Sequence, residues 1–240
     1  MPGLWVREAK TAPIGALYAE KLDDRDVAFI YFGWAGIILR TKNHAVAFDF
    51  CQKNFKRGEV KALEHLGVQC YGHTHWDHWH APLARAILKQ TDAPILVEPA
   101  ILDERGSIPV EDLTAVRPGE PLKLGDLTVR GVVGIHPRPI TMFHVCAPEL
   151  RVFHGGDSGH VSLAGLSAEI AFVPTGMPSP SCSPESEVAM ARDLDATVAI
   201  AVHGSDEDMK AFRTLTETEL PGTQVVIPKP CELVRLALPG

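Results

Sequence analysis

The chain has 240 residues, with 23 basic and 30 acidic side chains, a formal net charge of −7 and 45% hydrophobic residues. That is enough apolar material for one sizeable core or two small ones, and the composition fits no disordered, collagenous or disulfide-stapled class. Net acidity without a basic cluster disfavours nucleic acid as a partner, because such affinity rests on Lys and Arg neutralising phosphates.

No apolar run approaches the ~18 residues of a membrane-spanning helix, and Arg7, Glu8 and Lys10 break the basic-then-apolar order of a secretory signal. The expected location is therefore the cytoplasm, with no membrane partner. Cys51, Cys70, Cys146, Cys182 and Cys231 are scattered without a Cys-x-x-Cys pair. In a reducing compartment they are expected as free thiols, most of them small core residues. Cys182, in a Pro/Ser-rich loop, is the one expected to be exposed and reactive.

In chain order, residues 1–26 are mixed in polarity, with a short helical stretch at Ala16–Lys21. They are set apart as an N-terminal extension of open role ahead of a single domain over residues 27–240. Val27–Phe32, Gly36–Leu39 and Ala45–Phe50 are runs of apolar β-formers separated by turn residues, and predict an antiparallel meander. A helix is predicted over Glu59–Leu66, stopped by Gly67, then a strand Val68–Tyr71 that leads into Gly72-His73-Thr74-His75-Trp76-Asp77-His78. Helix Ala81–Gln90 and strand Ile95–Val97 follow. The order strand, histidine-rich loop, helix, strand is where α/β proteins place their sites.

Further on, strands are predicted at Leu127–Ile135, Ile140–Cys146, Arg151–Phe153, Ile170–Val173 and Thr197–Val202. Helices are predicted at Pro184–Leu194, with Ser183 as N-cap, and at Ser205–Thr216. Two β-rich blocks, each trailed by helices and strands, predict an α/β protein of two halves packed sheet on sheet.

The chemistry centres on His73, His75, Asp77 and His78. Residues two apart in a tight loop can aim the same way, so His73 and His75 can converge on one cation while Asp77 and His78 address a second. Imidazole and carboxylate together suit Zn, Mn or Fe. Further candidate ligands stand at strand ends: His136 before Pro137, Asp157 in Gly155-Gly156-Asp157-Ser158, and His203 before Gly204. Each follows apolar β-type residues and precedes a turn signal. His144 and His154 compete with His136, but both fall inside predicted strands.

These residues give the chain a resemblance to the metallo-β-lactamase superfamily over about Val27 to Leu236. The resemblance implies a four-layer αββα sandwich with two mixed sheets and a dinuclear centre. His73, His75 and His136 would bind the first metal, Asp77, His78 and His203 the second, and Asp157 both. The family's spacing favours His136 over its competitors. Asp49, ending Ala45-Val46-Ala47-Phe48-Asp49, matches the family's supporting aspartate. Within the superfamily, Gly33-Trp34-Ala35-Gly36 and Gly156-Asp157-Ser158 resemble the branch of metal-dependent hydrolases that includes L-ascorbate-6-phosphate lactonase, with a departure at Trp34, where that branch often has His. Asp157 in place of the Cys ligand of many true β-lactamases argues against antibiotic hydrolysis. His75, where oxygen-reducing di-iron relatives usually have Glu, argues against redox chemistry.

The implied activity is hydrolysis of a small ester, lactone or phosphoester by a hydroxide held between two divalent transition metals, zinc first and manganese or iron as alternatives. Asp77 would orient the nucleophile; His160 and His203 are the candidates for leaving-group acid. Trp34, Trp76, Trp79, His80 and Cys182 are the cleft candidates, with core packing as the plain alternative for Trp76 and Trp79 and a helix-start role for His80. A phosphodiesterase acting on small or cyclic nucleotides is the enzymatic alternative. A non-catalytic metal or ligand sensor on the same scaffold is the alternative from another class. The expected partner is a small-molecule substrate, and a homo-oligomer is left open.

Overall fold

The structure, a computed structural model, describes residues 14–51, 55 and 57–238. Residues 1–13 of the expected extension lie outside the described residues. Chain order begins with helix α1 (Ile14–Ala19) and strands β1 (Asp26–Gly33), β2 (Gly36–Arg40), β3 (Ala45–Phe48) and β4 (Val68–Tyr71). Helix α2 (Ala81–Thr91) and strands β5 (Ile95–Val97) and β6 (Leu113–Ala115) complete the first half. The second half holds β7 (Leu122–Leu124), β8 (Leu127–Val133), β9 (Thr141–Cys146), β10 (Arg151–His154), β11 (Ile170–Pro174), helix α3 (Pro184–Asp193), β12 (Val198–Val202), helix α4 (Asp206–Glu219) and β13 (Gln224–Val226). Strand β14 (Leu233–Ala237) returns to the first sheet beside β1.

Among the described residues each sheet has seven strands, in the orders β14-β1-β2-β3-β4-β5-β6 and β13-β12-β11-β10-β9-β8-β7. Both are mixed: β14-β1-β2-β3 pair antiparallel and β3-β4-β5-β6 parallel, while β7-β8-β9-β10 pair antiparallel and β10-β11-β12-β13 parallel.

Alternation along the strands builds the layers. In β1, Val27, Phe29 and Tyr31 enter the core between the sheets, whereas Ala28, Ile30 and Phe32 enter the core under α1 and α2. In β11 and β12, Ile170, Phe172, Val198, Ile200 and Val202 face the first sheet. Ala171, Val173, Ala199 and Ala201 face α3 and α4, where small side chains let the helices approach closely. Strands buried on both faces carry no polar alternation, which is why they are continuous apolar runs in the sequence. The result is the predicted four-layer αββα sandwich.

Helix α1 buries Ile14, Leu17 and Tyr18 in the first outer core. Its terminal carbonyls accept from the Arg40 guanidinium, which reaches Leu17 O at 2.7 Å and Glu20 O at 2.9 Å. Residues 14–26, read from sequence as an extension, thus pack on the sheet. The helix expected at Glu59–Leu66 is instead a 3-10 turn over Arg57–Ala62. Val60, Leu63 and Leu66 are all buried, but only Val60 lies in that turn; residues 63–66 carry their side chains into the core without helical backbone.

Candidate metal centre

Strands β3, β4, β8, β10 and β12 bring their following residues together at one rim between the sheets. His73, His75, His136 and Asp157 offer ligand atoms all within 4.8 Å of one another, and so do Asp77, His78 and His203. All seven sequence candidates for metal ligation therefore converge. Asp157 stands between the groups: its Oδ2 lies 3.7 Å from His73 Nε2, and its Oδ1 lies 3.0 Å from His78 Nε2 and 2.9 Å from His203 Nε2.

These approaches are close but not aligned as hydrogen bonds. Nε2 of His73, His78 and His203 and Oδ1 of Asp157 are buried without a hydrogen-bond partner. Orphaned buried polar atoms are costly, and several aimed at one volume fit a shared cation. Nε2 of His136 and Nδ1 of His75 also face each other, at 3.4 Å.

Charge is divided unevenly. Burial lowers the affinity of His73, His75 and His136 for protons, which leaves neutral imidazoles suited to a metal. Burial also opposes protonation of His78 and His203, but the Asp157 carboxylate and the neighbouring aspartates outweigh it and raise both. Conversely, the histidines overcome the burial that would raise Asp157 and hold its carboxyl well below the usual range; Asp77 is lowered in the same way.

Local backbone explains how the residues arrive. Asp49 leaves β3 with φ +47°, which ends the strand at Phe48, two residues before the predicted end, and turns the carboxylate under the histidine loop. Its Oδ1 accepts from Gly72 N–H at 2.7 Å and its Oδ2 from His78 Nδ1 at 2.8 Å. That bond places the His78 proton on Nδ1 and frees Nε2 for the centre. Trp34 and His203 also hold positive φ, at 55° and 43°, a conformation bulky residues avoid unless surroundings impose it. The His203 N–H donates to Trp34 O at 3.0 Å, fixing one against the other.

His136 reaches the centre because Gly134 lies against the Asp157 loop. A Cβ there would meet Ser158 Oγ at 2.3 Å. Ser158 Oγ accepts from Ile135 N–H at 2.9 Å, and Gly159 N–H donates to Ile135 O at 2.9 Å. The competitors point elsewhere. His144 Nε2 meets Ser167 O at 2.9 Å, while His154 Nε2 meets Ala35 O at 2.8 Å and its ring stacks on Phe48.

The other candidates divide. Trp34 lies 5.5 Å from the His203 ring and 5.9 Å from that of Trp76, between centroids, and Trp76 is 65% exposed. Both border the centre. Trp79 is buried, donates its indole N–H to Glu104 O at 3.0 Å and packs edge-on against Tyr71; it is a core residue. His80 caps α2, its Nδ1 accepting from Leu83 N–H at 3.2 Å.

His160 pairs through Nε2 with Asp193 at the end of α3, at 3.0 Å, instead of with the cluster. That contact sets its Nε2 against the outer helix. Cys182 is half-buried and its thiol donates to Asp157 O at 3.2 Å. Burial pushes that thiol up, which disfavours the thiolate a reactive cysteine needs, and its contact supports the Asp157 loop. Sequence reading missed Ser179, which donates to the same carbonyl at 2.8 Å; one serine in such a loop carries no distinguishing signal.

Solved structures share the architecture. The metallo hydrolase Igni18 of the archaeon Ignicoccus hospitalis superposes with TM-score 0.70 at 18% identity, covering 88% of this chain and 98% of that one. The metallo-beta-lactamase fold protein YhfI of Bacillus subtilis gives 0.67 at 16%, over 88% and 99%. CmlA, a diiron β-hydroxylase of Streptomyces venezuelae, gives 0.66 at 15%, over 91% of this chain and 55% of that one. At such identities the likeness is one of fold, and a search of curated proteins finds no match. The family model described as the beta-lactamase superfamily domain matches residues 29–203, from β1 through the last residue of the cluster, and the chain belongs to that family.

Proposed function

We propose that the chain is a metal-dependent hydrolase that holds two divalent transition metals, zinc foremost, and cleaves a small ester, lactone or phosphoester. The observation that carries this reading is the Asp157 carboxylate set among His73, His78 and His203, whose buried Nε2 atoms lack hydrogen-bond partners. The donor set fits: imidazoles and carboxylates suit Zn, Mn or Fe. His73, His75 and His136 would hold one ion, Asp77, His78 and His203 the other, and Asp157 both.

When bound, such ions supply Lewis acidity that polarises a substrate oxygen and makes water nucleophilic near neutral pH. The protein's own groups do the rest. Asp49 orients His78 through Nδ1. Asp77, 8% exposed against 2% for Asp157, is the carboxylate with more access to an incoming water and would orient it.

The test is a panel of lactones, carboxylic esters, phosphomonoesters and small or cyclic nucleotide phosphodiesters on metal-loaded protein. Turnover of one class that stops with chelator and returns with metal supports the hydrolase; turnover confined to phosphodiesters would favour the nucleotide alternative. Two bound metals with no turnover on any member would favour a sensor.

A further inference from the structure

The two histidines of the second group are oriented in different ways. His78 is held by a hydrogen bond, its Nδ1 donating to Asp49 Oδ2 at 2.8 Å. His203 has no such anchor: its Nδ1 is buried without a hydrogen-bond partner. A histidine that ligates metal ordinarily gives its second ring nitrogen an acceptor that fixes the ring, so the orientation of His203 has to come from packing. Its ring lies 5.4 Å from that of His78 and 5.5 Å from that of Trp34, between centroids, and is inclined to the indole by 50°. Both separations are those of aromatic rings in contact.

Trp34 also holds the backbone of His203. Its carbonyl accepts the His203 N–H at 3.0 Å, and both residues keep positive φ, a conformation that persists only where surroundings impose it. On the far side, His203 O accepts from Thr175 N–H at 3.2 Å and from Gly176 N–H at 3.3 Å. The turn that carries Trp34 is seated on the supports of the centre. Ala35 O accepts from His154 Nε2 at 2.8 Å, three residues ahead of Asp157, and a Cβ on Gly36 would come within 3.2 Å of Asp49 O. Trp76 packs edge-on against the indole at 5.9 Å, and Trp34 is only 7% exposed.

We propose that Trp34 is a positioning residue for the second metal: its indole and its carbonyl together set the His203 ring, supplying by packing what Asp49 supplies to His78 by a hydrogen bond. This rests on the dinuclear reading above. An indole N–H can only donate, so Trp34 is not a ligand and acts through His203.

The experiment is a double-mutant cycle on the full chain, with Trp34→Ala, His203→Ala and the double variant, in which the affinities of the two zinc-binding steps are measured by chelator competition. Trp34→Ala leaves the carbonyl in place and removes the ring. It should weaken one step ~10–100-fold, the range for loss of a ligand's support, and His203→Ala should weaken the same step. In the His203→Ala background the loss of the indole should change zinc affinity no further, because residues that act through one another are not additive. Trp34→Phe, which keeps a ring and fills most of the space, should lose less than Trp34→Ala, and its loss should vanish in the same background; it carries the cycle if the alanine variant does not fold. Unchanged affinity in Trp34→Ala, equal weakening of both steps, or a loss that persists in the His203→Ala background would overturn the assignment and leave the metal centre standing. Wild type that binds fewer than two zinc ions would contradict the dinuclear reading itself, and the role of Trp34 with it.

Discussion

Asp49 shows how much of the centre depends on a residue that is not among its ligands. Its two oxygens are spent on Gly72 N–H and His78 Nδ1, so it fixes both the loop and the tautomer of one ligand. Asp49→Asn keeps the size but sets an amide donor against the His78 N–H. Metal affinity should fall ~10–100-fold, read by chelator competition, with the circular dichroism spectrum unchanged; equal affinity would show that the bond is incidental. The cluster was legible in sequence because its candidate ligands are particular side chains at strand ends, and those chemical types are scarce. Supports were less legible. Trp79 and Trp34 are equally buried, and only their partners, Tyr71 for one and His203 for the other, separate core from centre; His160 meets Asp193, a partner 33 residues away that no local pattern announces.

At the scale of elements, helix α3 carries a buried acid. Glu187 is fully buried, accepts from Ser186 Oγ at 3.0 Å through one oxygen, and leaves Oε2 without a partner. Burial raises its carboxyl well above the usual value and so favours its neutral form in the folded protein. A raised carboxyl pKa contributes stability that is complete below the unfolded value of about 4.3 and is lost as pH climbs toward the folded value. Glu187→Gln removes that loss. Its melting temperature relative to wild type should therefore rise between about pH 5 and pH 8, and a difference constant across that range would contradict a neutral Glu187. The elements themselves were most legible where both faces are buried, as in β1, β4 and β12. They were least legible at residues 59–66, where apolar Val60, Leu63 and Leu66 resemble a helical face although the chain leaves its 3-10 turn after Ala62. Strands β13 and β14, three and five residues long, carry too little pattern to identify alone; their partners β12 and β1 define them.

Over the whole molecule, two sheets share one core of Phe29, Phe48, Phe143 and Phe172 among aliphatic neighbours, and the centre sits where their strand ends meet. The sheets are also tied by polar contacts. Glu149, in the turn between β9 and β10, accepts from Thr41 Oγ1 and from His44 Nδ1 at 2.7 Å, both in the turn between β2 and β3. Glu149→Ala should lower unfolding free energy by about 1–2 kcal/mol, the net worth of two part-buried hydrogen bonds, by urea denaturation, without changing metal content. The layered plan was legible from the repeated succession of β-rich blocks and helices, because each sheet must cover both its faces. The packing of residues 14–26 was not, since α1 has only six residues and depends on Arg40 for its end.

The central claim is that seven side chains from both halves of the sandwich hold two metals through one shared carboxylate. Elemental analysis of protein purified without chelators or a His-tag, for wild type and Asp157→Ala side by side, tests it most directly. Close to two transition metals per chain in wild type, falling sharply in the variant, is the expected result. One metal or none in wild type, or a content unchanged by the substitution, would contradict it.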